Sequence, residues 1–108
     1  MKRVTFIFAV LTIMGCQNYH YLSEEEMEGM RFESNKHVYK LMVKIQAIAK
    51  CNSELTINLN NTEKYSFPFN SSLDTILSLD WYNEPLYVKV DYDSCVNETP
   101  KVGILLVE

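Results

Sequence analysis

Between His37 and Glu108, apolar and polar side chains alternate one by one along short runs that turn-forming residues separate. Alternation with a period of two places every second side chain on the same face, which is typical of a half-buried β-strand. The last run is continuously apolar, as in a central or closing strand. The predicted strands cover residues 38–50, 54–59, 65–69, 75–82, 86–92 and 102–107.

The first of these runs also fits a helix. A strand would place Tyr39, Leu41 and Val43 on one face. One face of a helix would instead collect Val38, Leu41, Met42, Ile45 and Ile48. The alternation continues for longer, and β-branched residues favour extended backbone, so we predict a strand.

Six short strands joined by tight turns predict an all-β fold in residues 37–108, as a small antiparallel β-sandwich or barrel. The turn Asn60–Glu63 joins the second and third strands into a hairpin. Pro68 lacks a backbone N–H, so it belongs on an edge strand or at a strand end.

Residues 1–15 have the composition of a signal peptide, with a helical apolar segment behind a basic start. Lys2 and Arg3 precede an uncharged apolar run from Val4 to Met14. That run is shorter than the roughly 20 residues needed to span a bilayer, and it suits the apolar region of an export signal. We therefore expect an exported protein.

The end of this leader, Ile13-Met14-Gly15-Cys16, resembles the lipobox of bacterial lipoproteins, although Met14 is bulkier than the usual residue there. The resemblance implies cleavage before Cys16 and lipid on its thiol, which would hold the protein to the cell envelope. The expected location is the outer membrane, on its periplasmic or its surface face. In the alternative, Cys16 is an ordinary thiol of a soluble secreted domain.

The chain has three cysteines, and an odd cysteine in an exported protein needs an explanation. Lipid on Cys16 would remove it from the count and leave Cys51 and Cys95 to pair in an oxidising compartment. Such a bridge would tie distant strands of the fold together.

Residues 16–36 read as a lipidated cysteine followed by a flexible tether. Ser23 and Glu26 have the spacing of a helix capping box, which predicts one or two helical turns. The acidic run Glu24–Glu26 fits a solvated linker, and it also resembles the surface-export signals of some bacterial lipoproteins.

The formal net charge is −4, and loss of Lys2 and Arg3 with the leader changes it to −6. This charge disfavours binding to nucleic acid, and binding to anionic lipid by charge alone. His20 and His37 are the only histidines, and neither has the partners of a catalytic site. We therefore expect no enzyme, no cofactor and no metal; Asp91, Asp93 and Glu98 lack the ligand pattern of a calcium loop.

Aromatic residues around the 83–85 turn are the best candidates for a contact surface. Alternation places Trp81 in the core, and Tyr82 and Tyr87 on the other side. Tyrosine is enriched at interface hot spots. By analogy of class, we expect a non-enzymatic module that binds an envelope protein, as an accessory, an inhibitor or an immunity or exclusion factor. A structural envelope lipoprotein without a discrete ligand is the alternative.

Overall fold

A computed structural model of the protein describes residues 19–34, 37–82 and 85–108. The predicted leader, Cys16 and part of the 83–85 turn lie outside these residues. The described residues form eight strands and one short helix. In chain order these are β1 (His20–Tyr21), α1 (Glu24–Met27), β2 (Met30–Phe32), β3 (Lys40–Ile48), β4 (Ser53–Leu59), β5 (Glu63–Phe69), β6 (Ser72–Asp80), β7 (Leu86–Tyr92) and β8 (Lys101–Val107).

The strands form two antiparallel four-stranded sheets. The first sheet has the order β1-β8-β3-β6, and the second sheet has the order β2-β7-β4-β5. Apolar side chains of both sheets belong to one buried cluster, as expected for sheets packed face to face. Each sheet keeps its own edge strands, so the structure confirms the predicted sandwich rather than a barrel. The six predicted strands correspond to β3–β8.

Strand β3 resolves the choice between strand and helix. It lies between β6 and β8, and Leu41, Val43 and Ile45 are fully buried. Each such side chain stabilises the fold by about 1.5–3 kcal/mol. Ile48, which a helix would have buried beside Leu41, is 58% exposed. The alternating pattern, and with it the strand, is confirmed.

In the second sheet, β4 takes the corresponding central position and buries Leu55, Ile57 and Leu59. The β4–β5 hairpin turns through Asn60 and Asn61, both at positive φ, which Asn tolerates better than most residues. Pro68 lies in β5, the edge strand, so its missing N–H removes no bond from a central ladder.

The described part of residues 16–36 differs from the predicted tether, because both sheets incorporate it. Strand β1 pairs with β8, and β2 pairs with β7. Between them, α1 begins with the predicted capping box: the Ser23 hydroxyl accepts from the Glu26 N–H, and the Glu26 carboxylate accepts from the Ser23 N–H. Met27 at the end of α1 is only 2% exposed and belongs to the core.

One end of the sandwich collects three connections between the sheets: residues 49–52, 70–71 and 93–100. The register shows this, because Ile48 at the end of β3 pairs with Ser72 at the start of β6. An isolated bridge between Ala49 and Val96 joins the first connection to the third. The backbone N–H of Ala49 also donates to the Ser71 carbonyl at 2.8 Å.

Candidate functional site

The disulfide lies at this end of the sandwich. Cys51 and Cys95 are bonded, with Cα atoms 5.3 Å apart and a sequence separation of 44. Cys51 belongs to the β3–β4 connection and Cys95 to the β7–β8 connection, and both connections cross between the sheets. The predicted bridge is confirmed. It joins two of the connections through which the chain crosses from one sheet to the other.

Asp93 organises the backbone beside the disulfide. Its Oδ1 accepts from the Ser53 hydroxyl at 2.7 Å and from the Cys95 N–H at 3.0 Å. The bond from Ser53, with smaller contributions from backbone N–H groups, lowers the pKa of Asp93. These donors favour the charged carboxylate, and through them Asp93 connects the start of β4 to the disulfide loop.

The acidic residues considered for a cation do not converge. Asp91 accepts from the Asn58 side-chain amide at 3.2 Å, whereas Asp93 turns towards Ser53. Within residues 19–34, 37–82 and 85–108, no group of three or more His, Cys, Asp or Glu side chains could hold a metal ion.

The two tyrosines predicted to contact a partner do not share a sheet. Tyr82 follows β6 of the first sheet and is 67% exposed, whereas Tyr87 lies in β7 of the second sheet and is 37% exposed. The Tyr87 hydroxyl occupies the space that a side chain at Gly29 would need. Trp81 is 6% exposed and belongs to the core, as predicted. Partner contact by Tyr82 or Tyr87 stays a prediction.

Tyr87 has a structural role that its position in the sequence does not show. Its backbone N–H donates to Asn60 Oδ1 at 2.6 Å, and its carbonyl accepts from the Asn60 N–H at 2.8 Å. Asn60 thus continues the pairing of β4 with β7 by one residue past the end of β4, through its backbone N–H and its side-chain oxygen. Of the two candidates, Tyr82 has the more exposed side chain, at 67% against 37% for Tyr87.

The outer face of the first sheet carries aromatic and apolar side chains that the sequence pattern did not single out. Tyr19 and Tyr21 cover Gly103 of β8: a Cβ built there would lie 2.9 Å from the Tyr19 Cβ and from the Tyr21 ring. The Lys44 ammonium lies 6.0 Å from the centre of the Tyr19 ring, within the range of a cation–π contact. The sequence alone does not predict this aromatic cluster, because it depends on the pairing of β1 with β8.

His20 points away from that face and connects β1 to the next two elements. Its Nε2 lies 3.2 Å from the Glu26 carboxylate of α1, and its ring meets Phe32 of β2 edge-on at 5.7 Å between centres. These contacts link β1, α1 and β2 to one another within residues 19–34.

A shallow groove of about 400 Å³ lies at the disulfide end of the first sheet. Exposed residues line much of it, including Ile48, Asp74, Glu98 and Lys101. Water screens the charged side chains in such an exposed position.

No protein-family model, no curated protein and no solved structure matches this chain. In the described part of the chain, no helix is long and apolar enough to cross a bilayer.

Proposed function

We propose that this chain is the precursor of a small lipid-anchored protein of the bacterial cell envelope, whose β-sandwich binds another protein and catalyses no reaction. The supporting observation is the cysteine pairing. Cys51 and Cys95 are bonded to each other, which leaves Cys16 as the one cysteine of three outside the bridge. Structural disulfides are typical of exported proteins, and residues 1–15 have the composition of an export signal.

The lipid would be attached to Cys16, and the outer membrane is the proposed location. A single acyl chain gives only marginal membrane binding, whereas two or more chains give a stable anchor. The diacylglyceryl group that the lipobox-like sequence implies would meet this requirement. The partner is an envelope protein, and Tyr82 is the first candidate contact because it is a largely exposed aromatic residue.

Labelling with a fatty-acid analogue in a bacterial host tests the anchor. Wild-type protein should incorporate labelled palmitate and sediment with membranes, and Cys16→Ser should lose both properties. The Cys51→Ser/Cys95→Ser double variant is the control, because it removes both other cysteines but not the proposed lipid site, and it should keep the label. A wild-type protein that takes up no fatty acid contradicts the anchor and indicates a conventional leader.

Affinity purification of the intact lipoprotein from cross-linked envelopes tests the binding role. If Tyr82 is a hot spot, Tyr82→Ala should weaken binding by about 2 kcal/mol or more, and less partner should be recovered. Lys89→Ala, on the outer face of the second sheet, is an exposed control that should leave recovery unchanged. Equal recovery of every co-purified protein with both variants would contradict a contact through Tyr82.

A further inference from the structure

The sandwich begins almost immediately after the proposed lipid site. Tyr19 already contacts the first sheet, and β1 begins at His20. Whatever conformation the three steps from Cys16 to Tyr19 take, they span at most about 11 Å. The shortest extent of the described residues is 24 Å, so the two opposite sides of the sandwich cannot both lie near the lipid. A lipid on Cys16 therefore restricts which surface meets the membrane.

Two surfaces lie near the start of β1: the outer face of the first sheet, which Tyr19 contacts, and the edge formed by α1, where Glu26 contacts His20. The α1 edge exposes Glu24, Glu25 and Glu28. Bringing these carboxylates against a bilayer would remove water from charged groups and oppose the negative potential of anionic lipid. This edge is the less favourable of the two surfaces.

The outer face of the first sheet has the opposite character. Near β1 it presents Tyr19 and Tyr21, and the half-buried Met42 and Leu105 lie on the adjacent strands β3 and β8. The lysines of this face are Lys40, Lys44 and Lys101. Its strand carboxylates, Asp74 and Asp80, lie on β6, at the opposite edge of the sheet from β1, and Glu98 lines the groove at the disulfide end of this face together with Asp74 and Lys101.

Such a composition suits the headgroup layer of a bilayer. Tyrosine rings are enriched at that depth because they are apolar with one polar end. Lysine stems can lie along apolar surface while their ammonium groups reach water or phosphate. The chain as a whole is acidic, so the contact would follow from tethering and from apolar surface rather than from net charge.

We propose that the outer face of the first sheet, with Tyr19 and Tyr21 next to the lipid, lies against the headgroups of the membrane that holds Cys16. This proposal rests on the lipid anchor proposed above. The second sheet then faces away from the bilayer, where a protein partner can reach it, and Tyr82 follows β6, the edge strand of the first sheet farthest from β1.

Tryptophan fluorescence in vesicles tests this orientation. Full-length lipoprotein purified from membranes is reconstituted into phosphatidylcholine vesicles that contain a lipid with a nitroxide on its headgroup. Tyr21→Trp places a probe on the proposed face. Tyr87→Trp is its matched control, because Tyr87 is also a tyrosine over a glycine, but on the second sheet. The buried Trp81 gives the same background in all proteins.

The nitroxide should quench the added emission of Tyr21→Trp and leave that of Tyr87→Trp unchanged. Ile76→Trp, on the same outer face but on β6, is a second probe if Tyr21→Trp does not fold, and it should also be quenched. Protein that fails to float with the vesicles overturns the anchor and this orientation with it. Protein that floats but shows equal quenching of probes on both sheets overturns the orientation alone.

Discussion

The Ser53 hydroxyl donates a 2.7 Å hydrogen bond to Asp93, across the end of the sandwich where β4 begins and β7 has just ended. Ser53 is buried although it is polar, and Asp93 satisfies it. The same carboxylate oxygen accepts from the Cys95 N–H, so this one acceptor links the start of β4 to the disulfide loop.

The first prediction is a dependence of stability on pH through Asp93. Hydrogen bonding lowers its folded-state pKa, so its contribution is complete above the unfolded pKa of about 3.9 and is lost as pH falls through the folded value. Asp93→Asn should therefore lower the free energy of unfolding at neutral pH, and the difference from wild type should disappear in acid.

Urea unfolding over a series of pH values measures this effect. Asp74→Asn on the exposed edge strand β6 is the control, since it also removes one negative charge. A difference between wild type and Asp93→Asn that stays constant down to low pH would show that the carboxylate charge is not responsible.

The second prediction concerns the disulfide. Alkylation without reductant should leave Cys51 and Cys95 unmodified, and reduction should lower the free energy of unfolding by about 4 kcal/mol, because the bridge closes a long loop. Denaturant unfolding of oxidised protein beside the Cys51→Ala/Cys95→Ala double variant measures the change. Equal stability of the two would show that the loop ends are held without the bridge.

The third prediction separates a tether from a part of the fold. Met27 is almost fully buried, so Met27→Ala should destabilise the protein by about 2–5 kcal/mol, as for other large core side chains. A tether residue would show almost no effect. Glu28→Ala, one residue further on and exposed, is the control and should stay within about 0.5 kcal/mol of wild type in the same thermal melts.

The fourth prediction contrasts two adjacent aromatic residues. Trp81→Ala should cost about 3–5 kcal/mol because it leaves a cavity in the core. Tyr82→Ala removes a largely exposed ring and should change stability by no more than about 0.5 kcal/mol. A melting temperature of Trp81→Ala close to that of wild type would contradict the assignment of this ring to the core.

The alternation of side chains was sufficient to predict β3–β7, because a strand with one buried face repeats its signal several times along seven to nine residues, and β8 was predicted from its continuous apolar run. It could not predict β1 and β2, which are two and three residues long and contain too few alternations to stand out. These two strands form only because they pair with β8 and β7, which lie far away in the sequence.

The residues of the candidate sites were predictable in part. The sequence indicated that Trp81 is buried and that Cys51 and Cys95 pair once Cys16 is set aside, and the structure agrees. It did not indicate that Tyr21 covers Gly103, because a glycine inside an apolar run gives no sign of which ring lies over it.

The incorporation of residues 20–32 into the sheets also determines where a protease can cut. Trypsin cleaves after lysine and arginine, and the first such residue after Cys16 is Arg31. Arg31 lies in β2 and pairs with Tyr87 of β7, so its peptide bond is accessible only when β2 leaves the sheet. Trypsin therefore finds no site between Cys16 and the fold, and its rate of cleavage at Arg31 reports how often this edge strand opens.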